Sequence, residues 1–569
     1  MTDATPSPAA PSDVAPAPSG VDGRPTSTST VSTPPADASA ARRATRRFVA
    51  AGVLVALLVR TVDAMESSFW LDEMHTVAHG LRPDLDAVAD SVARDFHAPL
   101  FYMAVHGASR FLGGWDDVRR YRALTVPAGV LILLPVALLA RRGRGRRAVE
   151  LAVWLCALMP FLVYFSMELR PYAWVMLASA ALAWAAFDDR GPAFLRATTF
   201  FAATALGTLS WYAFPVALIA VGVARLLGDV VERGAARETP DRRPWRPLPL
   251  WGLVVLGLLG GATLLPWIST RAEWVFTSPG ELAPDAADGA DATSKWFDVG
   301  PHLQKEALQQ FPKLVAPRLD SLGSPWTETS KVGLALLGAA VALGSAWWLY
   351  RRFVADPRPL DPALRAVVIY AVAALAVMTA LQIRQWGRFA LRYNAVMAWA
   401  LPLLLAEALA ATSGRVGRWV RGTALVGVGL LATGEIFGAP REDTEGAVTV
   451  ALETAQRLAV DDPSKPPLLT AILWQPHLYE MVLPFRCYAP HADFRSPERV
   501  PRKGDPDFDR PLVVITQRDS TLQGPNRSAP EEPRAVAIVE GRKVVWRHTL
   551  AGGVKVQVFT PAEPASQER

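Results

Sequence analysis

The sequence predicts an all-α polytopic membrane bundle of about eleven transmembrane helices, followed by a small C-terminal α/β extracytoplasmic domain. Three observations predict it. Apolar residues make up 51% of the chain and charged residues only 20%, less charge than a soluble chain of this size carries. The apolar residues come in runs of about 16–21, long enough to cross a hydrocarbon core of about 30 Å, where every backbone group must bond internally and the runs must be helices. Basic residues cluster between the runs, as the positive-inside tendency requires.

Residues 1–47 read as a disordered cytoplasmic arm, rich in Pro, Ala, Ser, Thr and Asp and without periodicity. The arm closes on Arg42, Arg43, Arg46 and Arg47, and an apolar run begins at Phe48. That pattern fits an uncleaved first membrane helix better than a signal peptide, with the N-terminus held in the cytoplasm.

Spans are expected at 48–64, 121–140, 148–166, 171–187, 195–211, 212–228, 248–268, 331–350, 364–383, 393–412 and 421–438, forming a transmembrane domain over 48–438. An odd count puts the tail outside. Arg141, Arg142, Arg144, Arg146 and Arg147 then fall inside, as do Arg351, Arg352, Arg358, Arg365, Arg415, Arg418 and Arg421. Segment 98–113 is apolar but carries His106 and Arg110. As a span it would flip the 141–147 loop outside, so it is expected as a juxtamembrane or half-inserted helix on the outer face.

Two outer loops are long, 65–120 and 269–330, the second with Trp274, Trp296 and Trp326 suited to an interfacial belt. The tail, 439–569, reads as an extracytoplasmic α/β domain. A helix is expected over 446–459, strands over 467–474 and 511–516, and two alternating strands within 535–559 around Gly552 and Gly553. Cys156 lies in an apolar run and Cys487 in the tail, so no disulfide joins them. The net charge of +6 does not imply nucleic acid, because the basic clusters are short and flanked by membrane segments.

Four clusters carry candidate chemistry. Asp72 and Glu73 follow the first span closely; such acids are costly near lipid unless solvated or used. A carboxylate there can take a proton from a hydroxyl or ligate a hard divalent cation, though it also suits a helix N-terminus. His97 can carry a proton, bind a metal or simply cap a helix. Glu168, Arg170 and Tyr172 sit in an outer turn, where Arg170 departs from the positive-inside trend. It can fork onto a phosphate or snorkel beside Glu168. Arg388, Arg392 and Tyr393 form a further basic group on the outer side, suited to a lipid-linked phosphate or to lipid head groups. No Walker A loop, Rossmann fingerprint, zinc spacing or nucleophile elbow occurs, so soluble nucleotide chemistry is unsupported.

Taken in order, these elements resemble a known family. An Asp-Glu pair follows the first span, and His97-Ala98-Pro99-Leu100 follows it. Arg122 opens a span, Ser166, Arg170 and Tyr172 follow the third, and Arg392-Tyr393 opens a late one. The pattern over about 48–440 resembles membrane glycosyltransferases of GT-C type that use polyprenyl-phosphate sugars, nearest the protein O-mannosyltransferases and the lipid A aminoarabinose transferases. The resemblance implies that Asp72 is the catalytic acid with Glu73 beside it. It implies that Arg170 and Arg392 face the donor phosphate, joined by Tyr172, Arg388 and Tyr393. His97 matches the position before the family's Pro-Pro-Leu, where Ala98 replaces the first proline. Glu168 is the candidate for a second acid.

The implied partners are a polyprenyl-phosphate-linked sugar donor, a lipid, glycan or protein acceptor, and membrane lipids. No cofactor follows with certainty; a divalent metal ion is compatible, without a complete ligand set in view. A transporter or flippase of lipid-linked glycans is the competing reading, but no internal repeat is evident and the charges sit at span ends.

Overall fold

The computed structural model describes residues 36–94, 97–115, 117–238, 245–276, short pieces between 332 and 344, 360–386, 391–437, 443–472, 483–489, 491–495, 499–517, 542–550 and 554–562. Arg388, most of the expected outer loop 269–330, most of the expected span 331–350, and Gly552–Gly553 lie outside the described residues.

Helix α1 runs Ala36–Glu66. It begins well before Phe48, so the expected disorder does not extend through residue 47. Alanine-rich sequence is good helix former, and extending an existing helix avoids the cost of a new nucleus. Three short helices follow: α2 (Leu71–Gly80), α3 (Leu85–Arg94) and α4 (Leu100–Leu112). They close a core of their own around Phe69, Val77, Val88, Phe101 and Val105. Segment 98–113, ambiguous from hydropathy, is thus α4, its apolar face spent on α2 and α3. It ends where Gly113 takes φ 90°.

A 3-10 turn (Val118–Leu124) leads into α5 (Val126–Leu131) and α6 (Leu133–Ala140). Next come α7 (Arg146–Leu158) and α8 (Pro160–Met167), bent by 51°. The bend has a local cause: Met159, preceding Pro160, is extended at ψ 117°, as the proline ring demands. The carbonyls of Cys156 and Ala157 are met instead by the guanidinium of Arg60, at 3.0 and 2.9 Å. A fully buried arginine of the first helix therefore caps the broken one.

Helix α9 (Tyr172–Phe187) is apolar all round and buried along its length, the mark of a central helix. Around it come α10 (Ala193–Ser210), α11 (Pro215–Glu238), α12 (Leu250–Ala262), α13 (Leu265–Phe276) and α14 (Pro362–Trp386). Then α15 (Ala395–Ala398) and α16 (Ala400–Ala410) form a second bent pair, at 45°, with Pro402 removing a helical donor near the break. Helix α17 (Gly414–Phe437) starts seven residues before the expected span, taking the Arg-rich stretch into its first turns.

By length and composition three stretches can cross a membrane: Val118–Ala140, Leu250–Thr270 and Pro362–Leu381. The two bent pairs raise this to five among the described residues, so that criterion does not reproduce eleven. Charges mark both ends of α9. Glu168 and Arg170 precede it, Asp188 and Asp189 follow it, and its 16 residues span about 24 Å. At the second end Arg142 pairs with Asp188 (3.7 Å), Asp189 and Asp361 (3.3 Å), and the Arg144 amide donates to Glu407 at 3.1 Å.

The tail holds α18 (Thr444–Asp461), β1 (Leu468–Ile472), α19 (Leu483–Tyr488), β2 (Leu512–Gln517), β3 (Arg542–Thr549) and β4 (Val554–Pro561). The sheet order is β1-β2-β4-β3, with β1 and β2 parallel and the other pairs antiparallel. Ala447 and Val448 of α18 join Val513, Ile515 and Val556 in its core. This is the small α/β unit expected there. Both cysteines are free and buried. The tail also reaches the α2–α4 layer: Leu483 and Cys487 enter its core, the Phe69 amide donates to the Tyr488 hydroxyl, and Arg119 pairs with Glu445.

Candidate active site

Asp72 and Glu73 open α2 behind an extended Trp70 at φ −96° and ψ 170°. Acids in a first helical turn are favoured by the exposed amides there. Adjacent residues on a helix point about 100° apart, and this rotation separates the two carboxylates.

Glu73 turns inward. It and Arg122 are each 2% exposed. Arg122 grips it as a fork, Nε to Oε1 at 2.8 Å and Nη2 to Oε2 at 2.7 Å. The same guanidinium donates to the carbonyls of Ala64 (2.8 Å), Ser67 (2.7 Å) and Ser68 (3.2 Å), and lies over the Phe69 ring. Glu73 Oε1 also accepts from the Leu169 amide at 2.7 Å. Both Glu73 oxygens are thus engaged by Arg122 and the Leu169 amide, an arrangement that suits a positioning role better than the catalytic one expected beside Asp72.

Asp72 turns the other way. Its Oδ2 meets Arg392 Nη1 at 2.6 Å and Arg170 Nη2 at 4.0 Å. Residues 72, 170 and 392 therefore converge on one carboxylate from three distant stretches of chain. Arg392 lies 5.5 Å from the Tyr393 ring centre and 6.0 Å from that of Trp70. Tyr393 stacks on Trp211 at 5.9 Å with the planes 2° apart.

Both terminal nitrogens of Arg170 are engaged. Its Nη1 donates to the Asp72 carbonyl, the Thr76 hydroxyl and the Tyr102 hydroxyl, each at 3.2 Å. Its Nη2 lies 3.3 Å from His97 Nε2. A guanidinium only donates, so the contact requires that His97 nitrogen to be the unprotonated one. His97 also stacks on Tyr102 at 5.4 Å. Burial pulls the Arg170 guanidinium down, but Tyr102, Asp72, Tyr172 and Glu168 outweigh it and hold it well above its ordinary value. The positive charge is fixed.

Of the expected residues, Asp72, Arg170 and Arg392 thus share a site, with His97, Tyr172, Tyr393 and Glu168 around Arg170 or Arg392. Arg388 lies outside the described residues. Thr76, Tyr102, Trp70 and Trp211 were not singled out from sequence. Thr76 and Tyr102 follow from α2 and α4 being helices, which puts Thr76 four residues after Asp72 on the same face, whereas Trp70 precedes α2 and Trp211 ends α10. Among the described residues no group of three or more His, Cys, Asp or Glu side chains is placed to hold a metal ion. Arg392 and Arg170, which meet the Asp72 carboxylate, are cations and do not favour a metal ion beside it.

No protein-family profile and no curated protein matches the chain. Among solved structures it is similar to ArnT from Cupriavidus metallidurans bound to undecaprenyl phosphate, at 14% identity over 90% of this chain and 97% of that one, with a TM-score of 0.47. The apo state of the same protein matches at 16% identity over 90% and 98%, with a TM-score of 0.36. At these scores the likeness is loose, and the case for the site is its own side-chain geometry.

Proposed function

We propose that this protein is a membrane glycosyltransferase moving a sugar from a polyprenyl-phosphate donor to an acceptor hydroxyl or amine on the outer face of the membrane. The observation that carries this reading is the Asp72 carboxylate held between Arg392 and Arg170. Orientation follows from charge: the Arg141–Arg147 loop lies at the opposite end of the central helix and takes the cytoplasmic side.

In the resting site Asp72 neutralises Arg392. A donor phosphate takes over the guanidiniums and frees the carboxylate. The acceptor oxygen or nitrogen then attacks the anomeric carbon, and its proton passes to Asp72. The bond from that carbon to the phosphate oxygen breaks, and the electron pair leaves with polyprenyl phosphate. Arg392 and Arg170 face the charge that grows on this leaving group. One displacement inverts the anomeric centre. Trp211 and Tyr393 offer flat faces beside the phosphate for the sugar.

The test is direct. Purified protein with a radiolabelled polyprenyl-phosphate sugar should release lipid phosphate and label an acceptor. Asp72→Asn should abolish this while the protein still folds. Full turnover by that variant would remove Asp72 from the mechanism and the proposal with it.

A further inference from the structure

A polar cavity of about 330 Å³ lies at the far end of α2, lined by Arg82, Arg110, His106, Ser109 and Trp115 among others. Its construction follows from the chain. His106, Ser109 and Arg110 occupy one face of α4 at spacings of three and four residues. Gly113 and Gly114 take φ 90° and 65°, conformations that suit glycine, and turn the chain so that Trp115 also lines the cavity. Gly80 brings α2 against α4, since a Cβ there would overlap Val105. His106 Nδ1 sits 3.1 Å from the Gly80 carbonyl, which fixes the ring.

The charge is one-sided. Among the described residues that line the cavity none is a carboxylate. Among the described residues Arg82 Nε is buried with no hydrogen-bond partner, and neither Arg82 nor Arg110 forms an ion pair. The C-terminal ends of α2 and α4 bring roughly half a negative charge each, and two guanidiniums outweigh them. Arg82 follows Asp72 by ten residues, and the helix between them advances about 14 Å from Asp72 to Leu81.

We infer that this cavity is an anchoring subsite for a phosphate group of the acceptor, about 14 Å along α2 from the reacting hydroxyl or amine. Two planar guanidiniums suit a phosphate better than a single-point anion, because each can present paired N–H groups. Trp115 supplies a flat apolar wall for what the phosphate is attached to. That the bound group belongs to the acceptor rests on the sugar-transfer reading; that the cavity binds phosphate does not.

The experiment titrates the full-length protein in detergent with inorganic phosphate and with dihexanoyl phosphatidic acid, read by calorimetry. Phosphate held by Arg392 contributes equally to wild type and variant, so their difference isolates this cavity. R82Q/R110Q should weaken the binding assigned to it by about tenfold or more, and R82K/R110K should recover part of it. Arg110 is exposed, so R110Q alone gives the reading if the double variant does not fold. Unchanged binding in R82Q/R110Q, or in R110Q where that stands in for it, overturns the subsite. A preference for phosphatidic acid assigns the phosphate to a lipid headgroup; equal affinity assigns it to a free phosphate group. Phosphate binding lost in R82Q/R110Q from a protein that transfers no sugar would end the transfer reading and leave the cavity standing.

Discussion

The amide of Leu169 donates to Glu73 Oε1 at 2.7 Å, so the residue before Arg170 is tied to the residue after Asp72. One buried carboxylate thereby sets the separation of the two groups proposed to do the chemistry. Substituting Glu73 should look unlike substituting Asp72. E73Q leaves Arg122 as an uncompensated buried charge and should cost about 3–5 kcal/mol of stability. D72N should keep the unfolding temperature and lose turnover. Thermal unfolding in detergent beside the transfer assay separates them; a stable, inactive E73Q would put Glu73 back among the reacting groups.

Arg392 is half-exposed and pairs with Asp72 at 2.6 Å, so its loss should affect rate rather than folding. R392Q should lower kcat on the order of 10²–10³-fold, the usual effect of deleting one preorganised donor to a developing charge. R392K should fall between, keeping charge without the fork. A rise in donor KM at unchanged kcat would mean that Arg392 only binds the ground state.

The Arg60 cap over α7 predicts a coupling. R60L leaves the Cys156 and Ala157 carbonyls without their donor and should destabilise on the order of 2 kcal/mol. P160A supplies an amide that can bond the Cys156 carbonyl, so R60L should cost less in that background. A double-mutant cycle by chemical denaturation reads this directly. Additive effects would show that the break does not depend on Arg60.

At the other end of the bundle, a Cβ on Gly143 would overlap the Glu407 carboxylate. G143A should therefore cost about 1–3 kcal/mol, as overpacking does, and E407A should relieve part of that penalty. Unfolding temperatures of the single and double variants check it.

The sequence made Asp72, Arg170 and Arg392 legible because each breaks a local trend: an acid beside a membrane run, and arginines where the outer side should be poor in them. Apolar runs of membrane length located most of the helices of the bundle. Glu73 was not separable from Asp72, since neighbours of one chemical type differ only by a helical rotation that sequence does not phase. Arg60 was hidden in an apolar run, where nothing signals a broken helix 96 residues away with carbonyls to fill. Segment 98–113 was ambiguous because hydropathy reports an apolar face but not whether lipid or another helix covers it. The link from Tyr488 to Phe69 spans 419 residues and has no local signature.

Sixteen residues make α9 shorter than the roughly twenty that a hydrocarbon core takes. Headgroup-level water can dip toward the ends of α9, where Arg170 stands at one and Asp188 at the other. On the sugar-transfer proposal, the shortfall of about 6 Å would spare a charged reactant the passage through oil.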